Sequence, residues 1–322
     1  MSALRNVLEI VDLLNDPYAS GEKITRFFQS KGLNNLSASV ENVSGDRGDT
    51  DFIILRLAGA RGKTSGGDAP TLGVVGRLGG VGARPAQLGI VSDADGAVVA
   101  LAAAYALAEI NKKGDVLAGD VVFTTHICPD APTRPHHPAP MMDSPVDMYK
   151  LLSKEVSPEM EAVLSVDATK ANLVVNHTGF AITPTVKEGW ILKVSRDLLN
   201  IYVNVAGHEP VVVPITMQDL LPYKTAVYHL NSMMQPWLFT KAPVVGVATT
   251  TKAVVAGSAT GATNVFALEQ ATRFIIEVAK DFGAGRASFY DPEEFETIIK
   301  LHGDVSSIIG RGVVVAGRGI CR

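Results

Sequence analysis

Residues 88–130, LGIVSDADGAVVALAAAYALAEINKKGDVLAGDVVFTTHICPD, decide the fold class. Residues 88–91 form a short apolar run that breaks into the polar turn Ser92-Asp93-Ala94-Asp95-Gly96. A long Ala-rich stretch follows to about Lys112, and its length and composition predict a helix. Residues 120–125 are a second apolar run, rich in β-branched residues, and they end in His126-Ile127-Cys128-Pro129-Asp130. Strand, polar turn, helix and strand in this order build a parallel sheet covered by helices.

The same alternation extends in both directions. Upstream, Leu4, Val7, Leu8, Ile10, Val11 and Leu14 recur at helical spacing, and a second helix follows Ser20-Gly21 with Ile24, Phe27 and Phe28 inward. Residues 37–43 and 52–57 read as strands split by a turn at 44–48. Residues 71–75 read as a strand ending in Gly76-Arg77, and 162–166 as one ending at Asp167. Downstream come strands at 190–194, 211–215 and 244–248, and helices at 196–207, 232–239 and 267–282. The expectation is a three-layer α/β/α arrangement with a mostly parallel mixed sheet, as one domain over 1–304. Residues 305–322 read as a strand or tail.

Composition narrows the function. Among 322 residues, charged ones are 19% and the net charge is −4, so no basic excess favours nucleic acid or an anionic membrane. The longest apolar stretch, 97–108, is too short to span a bilayer. Two cysteines, Cys128 and Cys321, make no disulfide framework. The opening residues read as an amphipathic helix and not a signal peptide, so the expected location is cytoplasmic. A hydrophobic content of 47% suggests surplus apolar surface, hence a homo-oligomer.

Ligands of open α/β sheets bind at the carboxyl ends of the strands. Four polar clusters end predicted strands here: Gly76-Arg77, Asp93-Ala94-Asp95-Gly96, His126 to Asp130, and Asp167-Ala168-Thr169-Lys170. Asp93 is a candidate metal ligand, while Asp95 is a ligand or the cap of the Ala-rich helix. His126, Cys128 and Asp130 share one face if their segment is extended, and all three types ligate zinc or move protons. Equally, Cys128 reads as a buried, inert thiol. Arg134, His136 and His137, in a Pro-bracketed loop, add a guanidinium and two imidazoles at the rim. His177, Lys187, His208 and His229 read as surface or turn residues. The Gly59-Ala60-Arg61-Gly62-Lys63-Thr64 loop has Gly-Lys-Thr but lacks the first glycine of a phosphate loop, so no nucleotide cofactor is expected.

The stretches at 69–80, 92–97, 125–136 and 184–189 resemble a family of domains of unknown function over nearly the whole chain. The order of elements is also distantly similar to the co-catalytic zinc aminopeptidases of the phosphorylase/hydrolase-like clan. That resemblance implies a zinc-aminopeptidase-like fold in which Asp93 fits the bridging aspartate and Asp167 the later ligand aspartate. The pattern departs at three places. Arg77 and Gly79 stand where His-x-Asp is expected. Ile127 and Cys128 fall near the Glu-Glu place, and no imidazole falls near the late histidine place at 260–264.

The reading that follows is a metal-dependent hydrolase of an amide or peptide-like small molecule. Zinc or manganese would be held by a set drawn from Asp93, Asp130, Asp167 and His136, with His126, Cys128 or Asp130 in the chemistry. Arg77, Arg84 and Arg134 are the candidates for holding a substrate carboxylate. The alternatives are a metal-free enzyme dependent on Cys128, and a non-catalytic binding protein on a degenerate peptidase fold.

Overall fold

Two N-terminal helices start where serine can cap them. Ser2 opens α1 (Ala3–Asn15) by accepting from the Arg5 N–H, and Ser20 opens α2 (Gly21–Ser30) by accepting from Lys23. Each cap satisfies an amide that a helix start leaves over. Next comes an antiparallel hairpin of β1 (Leu36–Gly45) and β2 (Gly48–Leu57), in unbroken register from Leu36↔Leu57 to Gly45↔Gly48. These coordinates are a computed structural model, which describes residues 2–137, 139–169, 174–222, 230–253, 258–261 and 263–309.

Beyond the hairpin lie β3 (Leu72–Gly76), a ribbon of β4 (Gly82–Ala83) and β5 (Gln87–Ile90), α3 (Asp95–Lys112) and β6 (Val121–Ile127). A second ribbon, β7 (Thr133–Arg134) with β8 (Met141–Met142), leads to α4 (Met148–Glu155) and β9 (Ala162–Ala168). Then come β10 (Gly179–Ile182), β11 (Val186–Lys187), β12 (Trp190–Ile191), α5 (Arg196–Ala206) and α6 (Met217–Leu220). The described chain closes with α7 (Asn231–Met234), β13 (Val244–Thr250), α8 (Val265–Gly283), α9 (Pro292–His302) and α10 (Ser306–Ile309).

The main sheet runs β1-β2-β6-β3-β9-β13-β11-β12, with β10 also on β13. Its centre, β6-β3-β9-β13, is parallel, and β1, β2, β10, β11 and β12 pair antiparallel. Alternation along each strand sends side chains to two helical layers. Leu72, Val74, Phe123, Leu164, Val166, Val245 and Val247 face the layer of α1, α3, α5 and α8. Val75, Val122, Val163 and Val244 face the layer that holds α7. Helix α3 is buried from Asp95 to Ala108, as a helix apolar on all sides must be. Its first turn sits on the sheet because residue 96 is glycine: a Cβ there would strike the carbonyl oxygens of Arg77 and Val166.

Several expectations change. The run at 88–91 does hold a strand, β5 at Gln87–Ile90, but among the described residues it pairs only with β4, outside the main sheet. Residues 211–215 make no strand, only an isolated bridge of Val212 to Ile182, and the strand at 190–194 shrinks to Trp190–Ile191. β10, α4 and α9 are elements that the apolar pattern did not reveal. Of the expected tail, Ser306–Ile309 is a short helix, and 310–322 lie outside the described residues. No described helix is long and apolar enough to cross a membrane.

Candidate functional site

At the carboxyl edge three strand ends stand side by side. Val75 pairs with Thr124 and Gly76 with Val166, so one further step puts Arg77 between His126 and Asp167. The Arg77 N–H donates to the Val166 carbonyl at 2.8 Å, which fixes that step. By alternation all three side chains lie on the face that carries Val75, Val122 and Val163, the face of α4 and α7.

Arg77 is wholly buried. Its Nε donates to the Ser232 carbonyl at 2.8 Å and its Nη1 to the carboxylate of Glu155, the equally buried last residue of α4. Ser232 also donates its hydroxyl to Asp167 Oδ2 at 2.6 Å, and the Ala168 N–H donates to Asp167 Oδ1 at 2.7 Å. On the other face Asp95 Oδ2 accepts from the Thr249 hydroxyl at 2.7 Å. His126 Nδ1 lies 3.2 Å from Thr50 Oγ1. Among the described residues, the buried His126 Nε2 and Glu155 Oε1 have no hydrogen-bond partner.

Burial governs the charges. It pushes the His126 imidazole down to about 3, and the nearby Arg77 charge pushes the same way, so the ring is neutral at physiological pH. Burial raises Glu155 against the pull of Arg77. It raises Asp167 as well, opposed by the Ser232 hydrogen bond and Arg77 and reinforced by the like charge of Asp95.

The sequence-derived candidates therefore separate into those this cluster holds and those it does not. Arg77, expected to clasp a substrate carboxylate, is instead engaged by Glu155. Asp95 does not cap α3; Ala94 holds that position and Asp95 is the first helical residue. Asp93 is buried in the 3-10 turn Ser92–Ala94, where a Cβ on Gly80 would come 3.3 Å from its Oδ2. Cys128 packs among Ala83, Val91, Ala131 and Met142, with its thiol 3.6 Å from Asp130 Oδ1. Burial and then Asp130 push that thiol up to about 12, so it stays protonated, unlike a nucleophilic thiolate. Asp130, Arg134 and His136 are exposed, and His136 Nδ1 lies 3.1 Å from the Ala139 carbonyl oxygen. Arg84 donates to the carbonyls of Pro129 and Asn15. Lys170, His229 and Cys321 lie outside the described residues.

Sequence reasoning missed Glu155, Ser232, Thr249 and Thr50. A signal for Glu155 existed: Asp147 caps α4, and Leu151, Leu152 and Glu155 fall at i, i+1 and i+4 on its buried side.

The donor set does not fit a metal. Among the described residues no group of three or more His, Cys, Asp or Glu side chains could hold an ion. Asp93, Asp130, Asp167 and His136 are thus not one ligand set. The cation fixed in the cluster is the Arg77 guanidinium, which has no lone pair to offer a metal.

The Gly-rich loop lies at the opposite end of the sheet. Its Gly59 and Thr64 N–H groups each donate to Asp120 at 2.8 Å, one to each carboxylate oxygen. A Cβ on Gly62 would overlap that carboxylate. The loop wraps the protein's own anion.

Solved structures share this architecture. Leucyl aminopeptidase from Leishmania major, in complex with actinonin, matches with a TM-score of 0.52 at 12% identity, covering 86% of this chain and 61% of its own. Legionella pneumophila LapA matches with a TM-score of 0.50 at 12% identity, covering 86% of this chain and 74% of its own. A glutaminyl cyclase from an Acidobacteriales bacterium covers 88% and 94%, at 12% identity and a TM-score of 0.48. At these identities the likeness shows the fold alone: a mixed sheet with helices on both sides, aminopeptidase-like. No curated protein sequence matches the chain. A family profile described as a protein of unknown function does match, over residues 41–312, from the middle of β1 through the rest of the sheet, and that range includes every residue of the cluster. The chain belongs to this family, DUF1177.

Proposed function

We propose that the carboxyl edge of the sheet binds a small amide- or peptide-like molecule without a metal ion, on a fold of the aminopeptidase kind. The observation that carries this reading is the place of Arg77. Where the resemblance expects a metal-ligating histidine, the chain has a buried guanidinium bonded to Glu155. A fixed positive charge there balances the carboxylates that a metal would balance, and it repels a second cation. His126, neutral and with Nε2 unbonded, supplies one hydrogen-bonding atom and no charge. The ligand class follows from the aminopeptidases that share the fold.

The test uses protein purified without a metal-binding tag. Metal content should be near zero. Melting temperature should be unmoved by zinc or manganese and raised by some members of a panel of amino-acid amides and dipeptides. Stoichiometric metal, or a metal-induced rise in melting temperature, would overturn the reading.

A second reading, a metal-dependent hydrolase of the same ligand class, draws support from one feature. Asp95 and Asp167 are close enough for like-charge repulsion, and such a pair favours a cation. Amide hydrolysis that disappears with chelator and returns with zinc or manganese would establish it.

A further inference from the structure

We propose that two copies of this chain pair edge to edge through β1, antiparallel, so that one sheet runs through a two-fold dimer. Among the described residues β1 is the outermost strand on its side of the main sheet. It is ten residues long, and residues 37–42 are exposed. Natural edge strands of this length are guarded by lysine, proline, a bulge or shortness. β1, LSASVENVSG, has no lysine and no proline, and its register with β2 is unbroken. Its one charge, Glu41, is taken up by Lys154 of α4 at 2.8 Å.

The hairpin fixes which groups the edge offers. The two-residue turn at Asp46-Arg47 makes Gly45 and Gly48 a hydrogen-bonded pair. Odd-numbered residues of β1 therefore bond to β2, and the even-numbered ones turn their N–H and C=O outward. The Leu36 N–H is taken by the Leu33 carbonyl at 3.1 Å and the Ser44 carbonyl by Lys150 Nζ at 3.0 Å, so Ala38, Val40 and Asn42 carry the outward ladder. An outward backbone ladder of this kind accepts another strand.

The surface beside the edge fits a second β1. Between α2 and β1 lies a groove of about 190 Å³ lined by Phe28, Gln29, Leu33, Leu36 and Ala38. Val40, 41% exposed, is the apolar side chain that stands out on the same face, against Gly21 of α2. A register centred on Ser39 sets Ala38 opposite Val40 of the partner subunit. Directly opposed residues share a face, so that valine sits at the groove. The same register sets Glu41 against a serine, and no like charges meet.

Light scattering and sedimentation of the full chain test this. The wild type should have twice the 34.0 kDa chain mass. Val40→Pro deletes an N–H that β2 does not use, a change an edge strand tolerates. Val40→Lys adds the missing guard. Both should be monomeric with unchanged circular dichroism, and if the proline variant fails to fold, the lysine variant decides. Ser39→Cys, in a Cys321→Ser background, should oxidise to a disulfide-linked dimer. Opposed Cα atoms of a non-hydrogen-bonded pair lie about 4.5 Å apart, within disulfide range. A monomeric wild type, or a dimer that persists in the folded Val40 variants, overturns the proposal. A Val40-sensitive dimer that Ser39→Cys does not cross-link overturns the register.

Discussion

The two ends of the parallel sheet each bury a carboxylate, and they treat it differently. At the amino end Asp120 receives one backbone N–H on each oxygen. At the carboxyl end Glu155 receives the Arg77 guanidinium on one oxygen, and among the described residues nothing bonds to its other oxygen or to His126 Nε2. Buried polar atoms are nearly always satisfied. An end that closes on itself reads as architecture. An end that leaves acceptors and a neutral imidazole unsatisfied, at the strand termini where such sheets bind ligands, reads as a site.

The largest effect expected from this contrast is at Arg77. Arg77→Met leaves the Glu155 charge buried without its partner, which costs about 3–5 kcal/mol. The double change Arg77→Met with Glu155→Met removes both charges and should return to within about 2 kcal/mol of wild type, or exceed it. Urea unfolding of the three proteins measures this. If the single and double variants are equally unstable, the pair is not the electrostatic unit described above. The double variant should also lose ligand-induced stabilisation while it stays folded, which separates the site from the scaffold.

Asp120 sharpens the other half. Asp120→Ala leaves the Gly59 and Thr64 N–H groups without their acceptor. Hydrogen bonds to a charged group contribute about 1.5–3 kcal/mol each, and water entering the loop recovers part of that, so a loss of about 2–3 kcal/mol is expected. Ligand binding should be unaffected. A variant that folds normally but fails to bind would mean that the amino end is functional after all.

How much of this the sequence carried depends on the range of the interaction. Arg77, His126 and Asp167 were legible because each ends an apolar run, and the carboxyl edge of a parallel sheet collects such ends. Their common face follows from strand alternation. The crossover helix α3 was equally plain. Glu155 was not, because α4 is short and its contact with Arg77 spans 78 residues. The Gly-Lys-Thr loop hinted at an anion, and local pattern could not say that the anion is Asp120, 56 residues beyond Thr64. Residues 88–91 have the composition of a core strand, yet periodicity does not tell a two-stranded ribbon from a sheet. Asp93 was placed at the end of a sheet strand for that reason, and it lies in a turn after the ribbon.

The smallest effect concerns His126, and it tests whether the imidazole is held neutral. Its pKa falls from 6.5 in the unfolded chain to about 3 in the fold, with burial as the first cause and Arg77 as the second. Above pH 6.5 both states hold the neutral ring and the folded protein keeps its full stability. Below 6.5 the unfolded chain takes up a proton that the folded protein refuses, so stability falls as pH falls, until about pH 3. The slope is about 1.4 kcal/mol per pH unit for one proton. Glu155 and Asp167 act in the opposite sense, because their raised pKa values make the folded state bind protons more readily as pH drops. The wild-type slope alone therefore mixes the two. The difference between wild type and His126→Gln isolates the imidazole, since glutamine does not titrate. Urea unfolding of both proteins at pH 7.5 and pH 5.5 should show the wild type losing about 1.4 kcal/mol more than the variant over that interval. Equal losses would show that His126 is protonated in the folded protein. A charged imidazole beside Arg77 would draw on the carboxylates of Asp167 and Glu155 for its balance, and the carboxyl edge would then offer a ligand a second positive charge in place of the neutral hydrogen-bonding atom proposed above.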